Sequence, residues 1–292
     1  MSVSKTALKK RKKQSEFVRV MKQLSKNKIA MLGLIILVIE CLLAILAPYI
    51  APYHYAAMDL TSSFATPSLQ HLFGCDDMGR DIFSRILYGV RYSISIGIIA
   101  VIISATIGMV IGAIAGFFGG AIDNILMRIL DVMQAIPGML LMIVISAVLG
   151  PGFFNTIIAL SVSSISGMAR MLRAQMMKER DNEYVEAAVS INCGKGKIIF
   201  SHLLPNCISP LIVQATMGVA QTITMAAGLS FIGLGVQPPL PEWGAMLSSA
   251  RQFIRQSPHL VIFPGLAIAV TVLALNLLGD GLRDALDPKL KN

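Results

Sequence analysis

Charge is what this chain has least of. Only 14% of its 292 residues are Asp, Glu, Lys or Arg, while 55% are apolar. A soluble domain normally carries about 25% charged residues. Too few charges remain to coat a globule of this size, so lipid is the natural solvent. Cysteine is also scarce. Cys41, Cys75, Cys193 and Cys207 form no C-x-x-C or other metal-ligand spacing. Only Cys75 falls in a segment expected on the outer side of a membrane, so no structural disulfide is expected. His54, His71, His202 and His259 show no ligand spacing either. No G-x-x-x-x-G-K-S/T occurs, and Gly194-Lys195-Gly196-Lys197 lacks both the spacing and the hydroxyl. That excludes ATP hydrolysis by a phosphate-binding loop. No H-E-x-x-H and no G-x-S-x-G is present, so nothing argues for an intramembrane enzyme. The alternating segments of about ten residues that a membrane barrel needs are missing as well.

What the chain does have is long apolar runs. Six windows, roughly 29–47, 92–116, 126–149, 155–171, 208–234 and 260–278, come near the 20 or so residues that span a bilayer. Helices satisfy their own backbone groups in lipid, so the expected fold is an all-α membrane bundle of six spans. The net charge of +9 is unevenly placed, with 10 of the 25 Lys and Arg in residues 1–28. With a cytoplasmic amino terminus, the outer segments 48–91, 150–154 and 235–258 hold five: Arg80, Arg85, Arg91, Arg251 and Arg255. The other 20 lie inside, which is the positive-inside asymmetry, and both ends are expected in the cytoplasm. The run Lys9-Lys10-Arg11-Lys12-Lys13 then reads as an orientation signal that meets anionic lipid, not as a nucleic-acid site. The first apolar run is of spanning length and no A-x-A site follows it, so no cleavable signal is expected. The chain divides into a basic segment 1–28, a first span with its outer loop 29–91, a five-helix core 92–282 with a cytoplasmic loop 178–206, and a tail 283–292.

Several positions stand out inside this frame. Glu40 lies near the middle of span one, where a carboxyl is costly. A hydrogen-bonded or protonated packing residue is the first reading, and a role in a path or subunit contact the second. Asp76, Gly79, Arg80, Asp81 and Arg85 precede span two. An Asp run with His71 nearby hints at a metal, but Arg80 and Arg85 compete for those carboxylates. A charge-paired structural motif is expected, with no metal. Gly108, Gly112 and Gly116 repeat every four residues and mark a close helix contact. Pro137-Gly138 predicts a kink in span three. Asp123, Arg128 and Asp131 near its inner end are expected in ion pairs. Ser161, Ser164 and Met168 share a face of span four, and Gln214, Gly218 and Gln221 share a face of span five. These uncharged stripes either line a path or act as interhelical hydrogen-bond glue. Pro238, Pro239 and Pro241 stiffen the last outer loop, and Trp243 is expected to anchor it at the membrane interface.

Between spans four and five lies a polar island. Asp181-Asn182-Glu183 can start a helix, since acidic groups suit its positive end. Asn192 tolerates the left-handed turn at its other end. The order Glu186-Ala187-Ala188, a turn at Asn192 and Gly194, then Leu203-Leu204-Pro205 resembles the EAA loop of ABC importer permeases. That family usually has glycine where this chain has Asn192. Residues 74–97 fit G-x-D-x-x-G-R-D-x-x-S-R-x-L-Y-G-x-R-x-S-x-x-I-G. This resembles the C-type permeases of the dipeptide, oligopeptide and nickel importers. The stretch GLSFIGLGVQPPLPEW at 228–243 and Gly244 are also similar to the family's outer loop before the last span.

The resemblance implies a type I importer permease in a prokaryotic inner membrane. It implies that Glu186, Ala187, Ala188, Asn192, Gly194, Leu204 and Pro205 dock on an ATPase subunit, with Ala187 and Ala188 small enough for close approach. The partners implied are a second homologous permease, two ATPase subunits carrying ATP and Mg, an external solute-binding protein and membrane lipid. The chain itself would be no enzyme and hold no cofactor. Peptide is the expected cargo, with nickel or a metal chelate as the alternative. A self-sufficient secondary transporter would need coupling-ion sites, for which only Glu40 qualifies.

Overall fold

The computed structural model describes residues 16–286. Residues 1–15 of the basic segment and 287–292 of the tail lie outside them. The described chain is helical. An amphipathic helix, α1 (Glu16–Leu24), precedes the first span, α2 (Lys28–Ile50). Asn27 starts α2 by accepting hydrogen bonds from the Ile29 and Ala30 N–H groups, two donors that the helix itself leaves free. Many apolar side chains of α2, such as Ile35, Val38, Leu42 and Ile45, are exposed. Its inner face rests on the last helix, where a side chain at Gly33 would stand 2.5 Å from the Ala274 carbonyl oxygen.

The second span is far longer than its apolar window. Helix α3 (Ile82–Phe118) has 37 residues, about 55 Å at 1.5 Å per residue. It outruns a hydrocarbon core of about 30 Å. It begins ten residues earlier than its window because Asp81 caps it, accepting from the Ser84 N–H at 2.7 Å. The third window breaks at the expected Pro137-Gly138, far more sharply than a kink within one helix. It forms α4 (Gly120–Ala135) and α5 (Gly138–Leu149), which meet at 86°. Ile136 is forced into extended backbone, φ −90° and ψ 125°, because the residue before a proline is kept out of the α region.

Helix α6 (Phe153–Arg180) packs against α3 more extensively than any other pair in the fold. The glycine repeat sits at this seam. Gly108 faces Met168 and Ala169, Gly112 faces Ala169 and Arg173, and Gly116 faces Met176 and Arg173. After α7 (Glu183–Ser190), a single turn α8 (Lys195–Lys197) and a π-helical turn (Ile198–Leu203) lead into α9 (Leu204–Phe231). The proline-rich loop that follows contains a helix, α10 (Trp243–Ala250), before the last span α11 (His259–Leu286). Glu242 starts α10 by accepting from the Gly244 and Ala245 N–H groups. Trp243 is no interfacial anchor. It is 1% exposed, and its indole N–H donates to the Ile86 carbonyl at 3.2 Å. Among the described residues, five helices are long and apolar enough to cross a membrane, and the bent pair α4–α5 makes a sixth crossing if counted as one. Helix α11 runs through 283–286, so that part of the expected tail is helix.

Candidate functional site

The polar island folds into a compact element pressed against one end of the bundle. Val185 and Ala188, three residues apart, form the inner stripe of α7. They pack with Ala113 of α3, Leu172 and Met176 of α6, and Ile198, Leu203 and Cys207. Glu186 and Ala187 point outward and are exposed. This corrects the expectation for the alanine pair. Ala188 is 6% exposed and already buried inside the chain, so only Ala187 is open to another surface. Asn192 takes φ 56°, in the left-handed region, and its N–H bonds back to the Val189 carbonyl. Gly194 is exposed, Leu204 packs on the same cluster, and Pro205 stands in the first turn of α9.

Residues that no motif marked complete this surface. Val189, Ile191 and Phe200 are exposed at 58%, 80% and 69%. Apolar groups of this size beside a charged loop mark a contact surface. The helical period gave no signal for them, since Val189 lies four residues after Val185, near the inner stripe, and is nonetheless exposed. Three polar groups latch the ends of the element together. Tyr184 donates to Glu179 at 2.9 Å, and Asn206 Nδ2 donates to the Tyr184 hydroxyl at 3.1 Å. Burial is the main cause pushing the Tyr184 phenol upward, and the hydrogen bond to Glu179 adds to it. Arg180 reaches back to the Gly116 and Phe117 carbonyls, at 3.3 and 3.4 Å. These are free carbonyls at the end of α3, where a cation is favoured.

At the opposite end of α3, the motif before the helix is an interlocked ion cluster. Asp76 accepts from the Met78 and Arg80 N–H groups and from Arg80 Nε at 2.7 Å, and Arg85 Nε lies 3.8 Å away. Gly79 has φ 69° and lies against the Asp59 backbone, where a side chain would collide. His71, Cys75 and Asp81 bring a nitrogen, a sulfur and an oxygen within 4.8 Å of one another. Both Asp81 oxygens are engaged, one with His71 Nδ1 at 2.9 Å and the other with the Ser84 N–H. Burial, reinforced by the charges of Asp81, Asp76 and Asp59, pushes the Cys75 thiol up to about 11.

The two stripes in the spans do not face one another across a passage within this chain. Ser161 is 2% exposed and donates to the Ile157 carbonyl of its own helix, and Ser164 donates to Leu160. Met168 is buried, with its Cε beside Gly218, so those two positions are packed together. Gln214 and Gln221 are exposed on α9. Polarity alone does not open a path when serine hydroxyls can satisfy themselves on the preceding turn. Glu40 is a hydrogen-bonded packing residue, its Oε1 accepting from Thr271 at 2.7 Å.

Against known proteins, residues 108–292 match the family described as binding-protein-dependent transport system inner membrane component. The chain belongs to this family. Residues 15–67 match the N-terminal TM domain of oligopeptide transport permease C. A dipeptide transport system permease protein of Alkalihalophilus pseudofirmus is 46% identical, covering 93% of this chain and 89% of its own length. The dipeptide permease DppC of Escherichia coli is 47% identical, with 91% of each chain covered. A glutathione transport system permease, GsiD, of Shigella flexneri is 48% identical over 91% of this chain and 88% of its own. Among solved structures, the inward-facing MetNI methionine ABC transporter aligns with a TM-score of 0.56 at 17% identity, over 69% of this chain and 96% of that one. An amino acid ABC transporter crystallised with histidines aligns at 0.53 and 16% identity, over 68% and 92%. The fold is that of a type I ABC importer permease, and the chain is a multi-pass membrane protein.

Proposed function

We propose that this chain is one translocating subunit of an ATP-driven importer for di- or oligopeptides. The observation that carries this is 46–48% identity across about nine-tenths of the chain to permeases named for dipeptide and glutathione transport. Glutathione is itself a short peptide. The nickel or metal-chelate alternative is not favoured by these relatives. The chain contributes no ATPase chemistry of its own. ATP and Mg belong to two separate ATPase subunits, a second homologous permease completes the path, and an external solute-binding protein delivers the cargo.

The site supports the coupling part of this reading. The exposed face of α7 offers Glu186 and Ala187, with Val189, Ile191 and Phe200 around them, while the opposite face is bonded into α3, α6 and α9. A partner that pushes on this face moves the spans, because packed interiors transmit displacement and do not absorb it. The excess of Lys and Arg on the α7 side supports a cytoplasmic position for that side and for both termini. When the two ATPases close on ATP, α7 follows them and the spans re-open outward, and hydrolysis resets the state. The exposed Gln214 and Gln221 face of α9 lines the path against the second permease.

The test is co-purification and peptide uptake in proteoliposomes with Glu186→Arg combined with Ala187→Trp. Loss of ATPases and a fall in uptake of about tenfold or more is expected, equivalent to about 1.4 kcal/mol at the interface. A variant that retains its ATPases and full uptake would remove α7 from the docking role.

A further inference from the structure

The inner arm of the bent pair meets α6 through two acid–arginine pairs, a hydrogen bond from Gln134 Nε2 to the Ser166 hydroxyl and a small apolar contact. Helix α4 buries only two residues, Asp123 and Leu130. Its apolar side chains Ile122, Ile125, Ile129 and Val132 are exposed. Asp123 and Asp131 lie eight positions apart, about two turns, so they share a face. They meet two arginines of α6. Arg173 holds Asp123 with two parallel bonds, Nε to Oδ1 and Nη2 to Oδ2. Arg170 Nη2 donates to Asp131 Oδ1 at 2.7 Å, and Arg128 lies 3.9 Å from the other oxygen. Leu130 adds an apolar contact with Ile165 and Ala169 of α6.

Arg173 stands where three helices meet. Its backbone is also what Gly112 and Gly116 of α3 press against, with a side chain at Gly116 falling 2.9 Å from the Arg173 carbonyl oxygen. From there α6 runs unbroken to Arg180 and then to α7, whose inner stripe packs on Leu172 and Met176 of the same helix. A two-point arginine–carboxylate pair fixes angle as well as distance. Asp123 is 6% exposed, and losing its partner would leave a buried charge uncompensated.

We propose that Asp123–Arg173, backed by Asp131–Arg170, are positioning pairs that carry the movement of α7 through α6 into α4. They make α4 travel with α6 through the transport cycle, so that the change of angle falls at Ile136–Pro137. This rests on the function proposed above.

The experiment uses the full reconstituted complex and reads ATP hydrolysed per peptide imported, with Asp123→Arg, Arg173→Asp and the two combined. Each single variant is expected to keep its ATPases and hydrolyse ATP, with uptake lower by roughly tenfold, within the range for residues that carry coupling. The combined swap is expected to restore most of the uptake. Single variants with wild-type uptake, or a swap that assembles and stays uncoupled, overturn the proposal. If the single variants fail to reach the membrane, Arg173→Lys decides, since it keeps the charge and loses the two-point grip. Partial uncoupling there supports the pairs, and wild-type coupling overturns them. A wild-type complex that binds no ATPase or imports no peptide overturns the functional reading and the pairs' role together. Failure confined to the variants overturns the pairs alone.

Discussion

Replacing Gly108 by alanine tests the seam between α3 and α6 directly. An added methyl would stand 2.6 Å from Met168 Cβ and 2.9 Å from the Ala169 backbone nitrogen. Unstrained contact begins near 3.4 Å, so α6 would have to retreat by about 0.8 Å at Met168 and about 0.5 Å at Ala169. The second shift involves backbone, which no rotamer change can relieve. Overpacking of this kind costs about 1–3 kcal/mol. Alanine also favours the helix over glycine by up to about 1 kcal/mol, which would mask part of the loss. Gly167 supplies the control. It lies in α6 with no atom within 4 Å of the added methyl. The helix preference is common to both alanine variants, so their difference isolates the clash. Unfolding in detergent at rising SDS, followed by the buried Trp243, the one tryptophan in the chain, should place Gly108→Ala about 1–3 kcal/mol below Gly167→Ala. Equal midpoints would mean that α3 and α6 do not approach as described.

Cys75 should resist maleimide at pH 8 in intact membranes. With its thiol near 11, roughly one molecule in a thousand is thiolate, and the sulfur is buried. Leu69→Cys, at a 98% exposed position, should label readily, and equal labelling of the two would refute the burial. Glu242 predicts a pH effect outside the spans. Burial raises its carboxyl above the usual range, against the pull of the Gly244 and Ala245 N–H groups. The folded state therefore holds the proton more tightly. The stabilisation is complete below the unfolded value of about 4.3 and is lost as pH rises through the raised folded value. Thermal midpoints of the wild type should fall across that window, and Glu242→Gln should flatten the slope. An unchanged slope would count against the assignment. The Glu186 and Ala187 pair should lose ATPases, and the Asp123 and Arg173 swap should restore uptake, as set out above.

The membrane class, the approximate spans and the polar loop between spans four and five were legible because each rests on local chemistry. Runs of about 20 apolar residues leave few alternatives. The order Glu186-Ala187-Ala188, Asn192, Leu204-Pro205 is short-range. Pro137 announced a break, yet the 86° angle depends on what α4 and α5 pack against. The helix at α10 was hidden behind three prolines, because its start depends on Glu242 turning back to cap it. The serine stripe was visible, but its hydroxyls close on their own helix, and a sequence pattern does not distinguish that from lining a path.

Composition and spacing alone therefore determined that this is a helical membrane protein with one exposed polar island and its basic charge biased to one side. Which alanine of that island faces inward, which acids meet which arginines, and how closely α3 approaches α6 were decided by tertiary structure. The acid–arginine contacts join residues on separate helices, 39 positions apart for Asp131 and Arg170 and 50 for Asp123 and Arg173. No local preference encodes them. They exist only once separate helices compete for the same space and partners.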